Sequence, residues 1–275
     1  MKLSTGLKWY EEQKTTQDKR QCLNTLRTIR NYIKRLGDPT IKSLTIQMVV
    51  RDRAERIKSA KPSTSNAEVS HLREMISNLF LAGLIASNPI KDIKLLACDN
   101  IREVHLTITD AIRLASFAPK WLADLIIFAA YMPMRKSEIS GLLWKEIDFN
   151  LGDNGVLRLS PDRTKNKKGR SIPLHPKVRK LLLAIPSGLR FQGGRVFPDE
   201  TLIRKSFNYE FNKVRVKAGL PDTRYHDIRH LAITEMFRVG IPQATIMRLA
   251  GHNSESLFHR YVYLKEEELF NLSWG

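Results

Sequence analysis

The 275-residue sequence predicts a mainly α-helical protein with a small antiparallel β-sheet, arranged as two domains. Three observations carry this expectation. Apolar residues recur at helical spacing through the first third of the chain; two short β-rich runs flank a lysine-rich tip between residues 155 and 174; and residues 97–106 keep neither period. A chain of this length can bury one large core or two ordinary ones.

In the first region Leu23, Leu26, Ile29, Ile33 and Leu36 share one helical face, and Gly37-Asp38-Pro39 stops the run. A second helix spans 46–57. A third carries Val69, Leu72, Ile76 and Leu79 on one face and closes at Gly83. Ser63-Thr64-Ser65-Asn66 stands just before it, with His71 and Arg73 following; short hydroxyls and amides there can cap the helix or bond phosphate oxygens. Asn88-Pro89 ends the helical run, so residues 1–97 form a helical domain and 98–106 a linker.

Thr107-Ile108-Thr109-Asp110 has capping-box spacing, with Asp in place of Glu, and opens a helix through Phe117. The second domain therefore covers 107–275. Arg135-Lys136-Ser137-Glu138 directly precedes an apolar helix expected through Ile139, Leu142, Leu143 and Ile147. Residues 155–160 and 171–174 read as the strands of a hairpin with a basic tip, and the chain turns helical again from Thr223, with Gly240 and Gly251 as C-cap candidates.

Lys and Arg number 46 against 28 Asp and Glu, a formal charge of +18. Residues 1–97 hold 18 basic and 9 acidic side chains, the remainder 28 and 19, so both domains share the excess and both are expected to touch a polyanion. Cys22 and Cys98 have no third partner, which argues against a disulfide framework or a cysteine metal site and fits a reducing cytosol. The most apolar run, Trp121 to Met134, is interrupted by Asp124 and Pro133, and the N-terminus lacks an apolar signal core; a cytoplasmic protein without membrane association is expected.

The residues suited to chemistry gather toward the C-terminus. His226 and Arg229 lie three apart near a helix start and project from one face, above an apolar stripe of Ile228, Ala232 and Met236. Arg135 is a second conspicuous guanidinium, and two of them from distant segments can clamp the non-bridging oxygens of one phosphate. His252 follows Gly251 at a helix end, where an imidazole either caps carbonyls or faces a ligand; Tyr261 and Tyr263 follow on the next segment, as packing residues or nucleophiles. A tyrosine hydroxyl, with an ordinary pKa of about 10, needs a base or cations to attack phosphorus near neutral pH. One of Lys165, Lys167 and Lys168 at the hairpin tip can protonate a leaving oxygen, or all three can contact backbone phosphates. No carboxylate cluster suited to Mg²⁺ is evident, so neither a metal nor another cofactor is expected.

Together these residues resemble the tyrosine recombinase (phage integrase) family over nearly the whole chain. Tyr225-His226-Asp227-Ile228-Arg229-His230 matches the family's H-x-x-R box, and Ala250-Gly251-His252 its L-G-H box. The family's catalytic tyrosine lies nine residues after that histidine, which selects Tyr261 over Tyr263. Arg135-Lys136-Ser137-Glu138-Ile139 is similar to its first arginine box, and the hairpin lysine precedes the proline of Ile172-Pro173-Leu174 by eight residues, which selects Lys165. One departure is Met132-Pro133-Met134, where relatives usually carry Thr-Gly-Leu or Thr-Gly-Met; a fixed φ in place of a free one is expected to alter the approach to Arg135.

The resemblance implies a helical core-type DNA-binding domain and a mixed α/β catalytic domain that clamp double-stranded DNA. Tyr261 would form a 3′-phosphotyrosyl bond and release a 5′-hydroxyl. Arg135, Arg229 and His252 would hold the phosphate, His226 would assist proton removal, Lys165 would protonate the leaving oxygen and Glu138 would position Arg135. It also implies a homotetramer on two duplexes, with accessory DNA-bending or directionality proteins, in a nucleoid-associated phage or mobile-element setting. The chain starts too close to the core-type domain for the arm-binding domain of some integrases, so no arm-site architecture is expected. The apolar residues Leu264, Leu269, Phe270, Leu272 and Trp274 suggest a tail that docks on a neighbouring protomer. Two other functions share these features: DNA relaxation like that of a type IB topoisomerase, and a DNA-binding remnant that no longer cuts.

Overall fold

The structure, a computed structural model, describes residues 1–14, 19–98, 106–164, 168–186, 188, 190, 193–197 and 204–251. The chain divides into two compact units, Met1–Ile101 and Arg102–Gly275. Its architecture is mostly helical, with one three-stranded antiparallel sheet among the described residues. None of the described helices is long and apolar enough to cross a membrane.

The first unit packs α1 (Leu3–Lys14), α2 (Lys19–Leu36), α3 (Ile46–Arg56) and α4 (Pro62–Leu81) around Leu7, Tyr10, Ile29, Ile33, Val49, Leu72, Ile76 and Leu79. α1 was not evident from the sequence, although Leu3, Leu7 and Tyr10 lie on its buried face. Its Gly6 permits close approach to α4, because a Cβ there would stand 2.7 Å from Leu79 Cδ1. Gly37 and Asp38, both at positive φ, end α2. The Asp38 carboxylate then accepts from the Ser4 backbone and hydroxyl at 2.8 and 2.7 Å.

The third helix begins earlier than the sequence suggests. Pro62 occupies its first turn, a position where a missing N–H costs nothing, so Ser63 to Asn66 lie inside α4 rather than before it. Neither capping nor an open phosphate-facing edge describes this segment as a whole. Ser65 is buried, and the Asn66 side chain bonds both the N–H and the carbonyl of Leu96 at 2.9 Å. Arg73 likewise points back to the Ile93 carbonyl.

In the second unit, Thr107 and Asp110 make both bonds of the capping box at the start of α5 (Ile108–Ser116). α6 (Lys120–Tyr131) is the core helix. Leu122, Leu125, Ile126, Phe128, Ala129 and Ala130 are buried, and such wide coverage marks a helix enclosed by others. It is followed by α7 (Lys136–Ser140), the strands β1 (Ile147–Asp148), β2 (Val156–Leu159) and β3 (Arg170–Pro173), and then α8 (Pro176–Leu183), α9 (Arg204–Lys217), α10 (Tyr225–Arg238) and α11 (Gln243–Ala250). β2 lies between β1 and β3, with Leu157 opposite Ile147 on one side and Ile172 on the other. Tyr225 ties α10 to α6 by donating its hydroxyl to the Leu125 carbonyl at 3.0 Å, and its ring packs edge-on against Phe207 and Phe211.

The helix expected through Ile139, Leu142, Leu143 and Ile147 is corrected to a short one that begins earlier, at Lys136, and stops at Gly141. Beyond it the backbone pairs with another segment: Val196 N–H donates to Leu142 O at 2.9 Å and Trp144 N–H to Gly194 O at 3.0 Å. The Glu146 carboxylate takes the Leu143 N–H at 2.8 Å, and Ile147–Asp148 then joins the sheet. Ile139, Leu142 and Trp144 are all buried, but through a chain reversal instead of a continuous helical face.

Phe128 is fully buried and meets Phe197 edge-to-face at 5.5 Å between ring centres. Phe128→Ala is expected to cost about 3–5 kcal/mol, read as a lower urea midpoint for the unit that contains it; an unchanged midpoint would remove α6 from the centre of this core.

Candidate active site

α11 ends at Gly251, which adopts the left-handed conformation (φ 68°, ψ 45°). A helix C-terminus leaves its last carbonyls without intrahelical partners and carries partial negative charge. Here three successive carbonyls each take one guanidinium. Leu249 O accepts from Arg170 Nε at 2.8 Å, Ala250 O from Arg229 Nη2 at 2.8 Å, and Gly251 O from Arg135 Nη2 at 2.7 Å. The three arginines come from β3, α10 and the residue before α7. A Cβ on Gly251 would lie 2.9 Å from Arg170 Nη1 and 3.4 Å from Arg135 Nη1, so glycine is required for space as well as for φ.

Glu138 binds the same cluster from the other side. Its side chain is only 2% exposed. Oε1 accepts from Arg135 Nη1 at 3.1 Å and Arg170 Nη1 at 3.2 Å; Oε2 accepts from Arg170 Nη2 at 2.7 Å and the Arg135 backbone N–H at 2.7 Å. Arg229 Nη1 lies 4.0 Å from Oε2. Burial acts to raise the Glu138 pKa, but the hydrogen bonds and charges of Arg170 and Arg135 outweigh it and hold the group below its ordinary value. One carboxylate thus meets three guanidiniums, which leaves the cluster a net cation suited to an anionic ligand.

His226 and Arg229 sit on the first turns of α10, where their spacing placed them, but their environments differ. Arg229 is buried while His226 is exposed, its ring edge-on to His230 at 4.8 Å. The His226 pKa is lowered by desolvation first and then by the charges of Arg229 and Arg135, against an opposing contribution from Asp227. A neutral imidazole at neutral pH can accept a proton.

The structure therefore brings Arg135, Glu138 and Arg229 together, with His226 one helical turn from Arg229. Lys165, His252, Tyr261 and the tail beyond residue 264 lie outside the described residues. Arg170 is the member that the sequence reading passed over. Its only signal was position, as the basic residue that closes the hairpin tip two places before Ile172. The Met132-Pro133-Met134 departure does not disturb Arg135. Met134 N–H donates to Met132 O at 2.7 Å, an inverse γ-turn centred on Pro133, and proline's fixed φ is the one this turn needs.

An arginine cluster closed by one carboxylate defines a class of protein with a cationic site suited to an anion, and comparison with known proteins narrows it. Residues 103–268 match the phage integrase family, and residues 6–97 match the phage integrase N-terminal domain. This chain belongs to that family, the tyrosine recombinases. It is 30% identical over 221 residues to the shufflon-specific DNA recombinase of Escherichia coli, covering 77% of this chain and 54% of that protein, so it spans about half the length of this relative. Among solved structures it is similar to the Tn1549 transposon integrase bound to transposon right end DNA, with a TM-score of 0.80 and 18% identity over 98% of each chain. It is also similar to the lambda integrase tetramer bound to a Holliday junction, with a TM-score of 0.76 and 18% identity over 95% of this chain and 77% of the other.

Gly251→Ala is expected to destabilise the fold by about 1–2 kcal/mol from the left-handed backbone alone, and to displace the Arg170 and Arg135 guanidiniums. A thermal melt would register the first effect; a melting temperature equal to that of the original protein would show that this helix end is looser than described.

Proposed function

We propose that this chain is a site-specific DNA recombinase, an integrase that breaks and rejoins DNA through a 3′-phosphotyrosyl intermediate. The observation that carries this reading is the convergence of Arg135 and Arg229, from distant segments, on adjacent carbonyls of one helix end, with Glu138 between them. The sequence that follows that helix end supplies His252 and Tyr261.

In the proposed reaction the Tyr261 hydroxyl attacks the scissile phosphorus. A bond forms between phosphorus and the tyrosine oxygen as the bond to the 5′ oxygen breaks. The tyrosine proton passes toward His226, and Lys165 protonates the departing oxygen. Extra negative charge on the non-bridging oxygens meets Arg135, Arg229 and His252. The phosphotyrosyl ester preserves the energy of the broken bond, so the reverse attack by a 5′-hydroxyl reseals DNA without a nucleotide cofactor.

Double-stranded DNA is the proposed partner of both units, with residues 1–97 as the DNA-binding domain, 98–106 as the linker and 107–275 as the catalytic domain. The total charge of +18 supports such a partner. A homotetramer on two duplexes is proposed from the lambda integrase assembly, and accessory bending or directionality proteins and a nucleoid location belong to the same reading.

Mapping covalent adducts on the DNA that flanks its own coding sequence identifies a cleavage site, which is then built into a nicked suicide duplex. Tyr261→Phe is expected to abolish the covalent adduct while retaining salt-sensitive DNA binding, and Tyr263→Phe to retain both; an adduct from Tyr261→Phe would sink the assignment. With the His226 pKa lowered, the imidazole stays neutral to more acidic pH. Adduct formation should therefore hold below about pH 6.5, the ordinary imidazole value, and fall only at lower pH. A decline centred above that value would exclude His226 as the proton acceptor.

A further inference from the structure

Arg170 differs from the other two guanidiniums of the cluster in how it is used. Its side chain is 4% exposed, against 26% for Arg135. Nη1 and Nη2 face the two oxygens of Glu138 and Nε faces the Leu249 carbonyl. Its backbone is set by the sheet, where Arg170 pairs with Leu159 and Ile172, two residues on in the same strand, is fully buried. Arg170 thus bonds the two groups that also hold Arg135: the Glu138 carboxylate and the end of α11.

We propose that Arg170 is a positioning residue for phosphate capture, which shares Glu138 with Arg135 so that Arg229 is not drawn onto the carboxylate and the cluster keeps its excess positive charge for an anionic ligand. The inference rests on the recombinase reading, which makes that ligand a phosphodiester. Without Arg170, Glu138 Oε2 loses a 2.7 Å bond, while Arg135 Nη1 remains 3.1 Å from Oε1 and Arg229 Nη1 lies 4.0 Å from Oε2. Closing that gap draws Arg229 toward the carboxylate, while the net charge of the three guanidiniums and Glu138 falls by one unit. A phosphodiester carries one negative charge in its ground state and approaches two in the pentacoordinate transition state. The loss therefore weighs on the chemical step, whereas DNA affinity is spread over many backbone contacts.

The test uses the full chain on the nicked suicide duplex in single-turnover experiments at saturating DNA. Arg170→Met is expected to slow adduct formation about 100-fold, the usual cost of losing one transition-state donor, here Arg229 drawn toward Glu138, with Kd for the duplex within about threefold of the original protein's. Arg170→Lys, which keeps the charge and loses the fork geometry, should fall between the two. On a duplex with a methylphosphonate at the scissile position, where one non-bridging oxygen and its charge are absent, the deficit of Arg170→Met relative to the original protein should shrink at least tenfold. A rate within threefold of the original on the phosphodiester overturns the proposal. So does an equal deficit on both substrates, or a loss of affinity as large as the loss of rate, since a merely structural role would act on all of them alike. If Arg170→Met does not fold, Arg170→Lys carries the same comparisons. Absence of any adduct from the original protein would instead reject the recombinase reading itself.

Discussion

A carboxylate buried to 2% exposure carries a desolvation penalty that only well-placed cations and N–H donors offset, and Glu138 meets this requirement with Arg135, Arg170 and a backbone N–H. Breaking a buried pair of this kind leaves an uncompensated charge and costs about 3–5 kcal/mol. Other features depend on this arrangement. Glu138 lies at the third position of α7, so the bond to Arg135 N–H both starts that helix and orients the arginine before it. Arg170 and Arg135 in turn reach past Glu138 to the end of α11, which can approach only because residue 251 has no Cβ. Four segments distant in sequence are joined at a single anion and a single helix terminus.

The same arrangement links structure to chemistry through charge. Helix carbonyls and one carboxylate orient three guanidiniums without neutralising them, and the excess cation is what a phosphodiester requires as it gains charge. Pro133 contributes in a different way. The turn it centres brings the chain from α6 into Arg135 with a dihedral angle that proline already favours, and the arginine that follows contacts Glu138 and Gly251.

Features governed by local rules were legible in the sequence. Thr107 and Asp110 announced a capping box, Gly251 a left-handed helix end, and the three-residue spacing of His226 and Arg229 a shared helix start. Features decided by tertiary pairing were not. The run from Ile139 to Ile147 has helical spacing, yet Val196 and Gly194 supply backbone partners that end the helix at Gly141 and release Ile147 into the sheet. Asn66 looked like a polar residue at a helix start, but its amide is engaged by Leu96, thirty residues on. Arg170 was hidden among the basic residues of the hairpin tip, because only the folded chain shows which of them faces Glu138.

Arg135 and Arg229, held by Glu138 and the end of α11, are the proposed seat of the scissile phosphate. A crystal structure of the chain trapped covalently on its suicide duplex tests it most directly. The expected result is a phosphotyrosyl bond at Tyr261 whose non-bridging oxygens lie within hydrogen-bond distance of both guanidiniums, with Glu138 still bonded to Arg135 and Arg170. A covalent phosphate seated away from these arginines, or a Glu138 carboxylate that has left them, would contradict it.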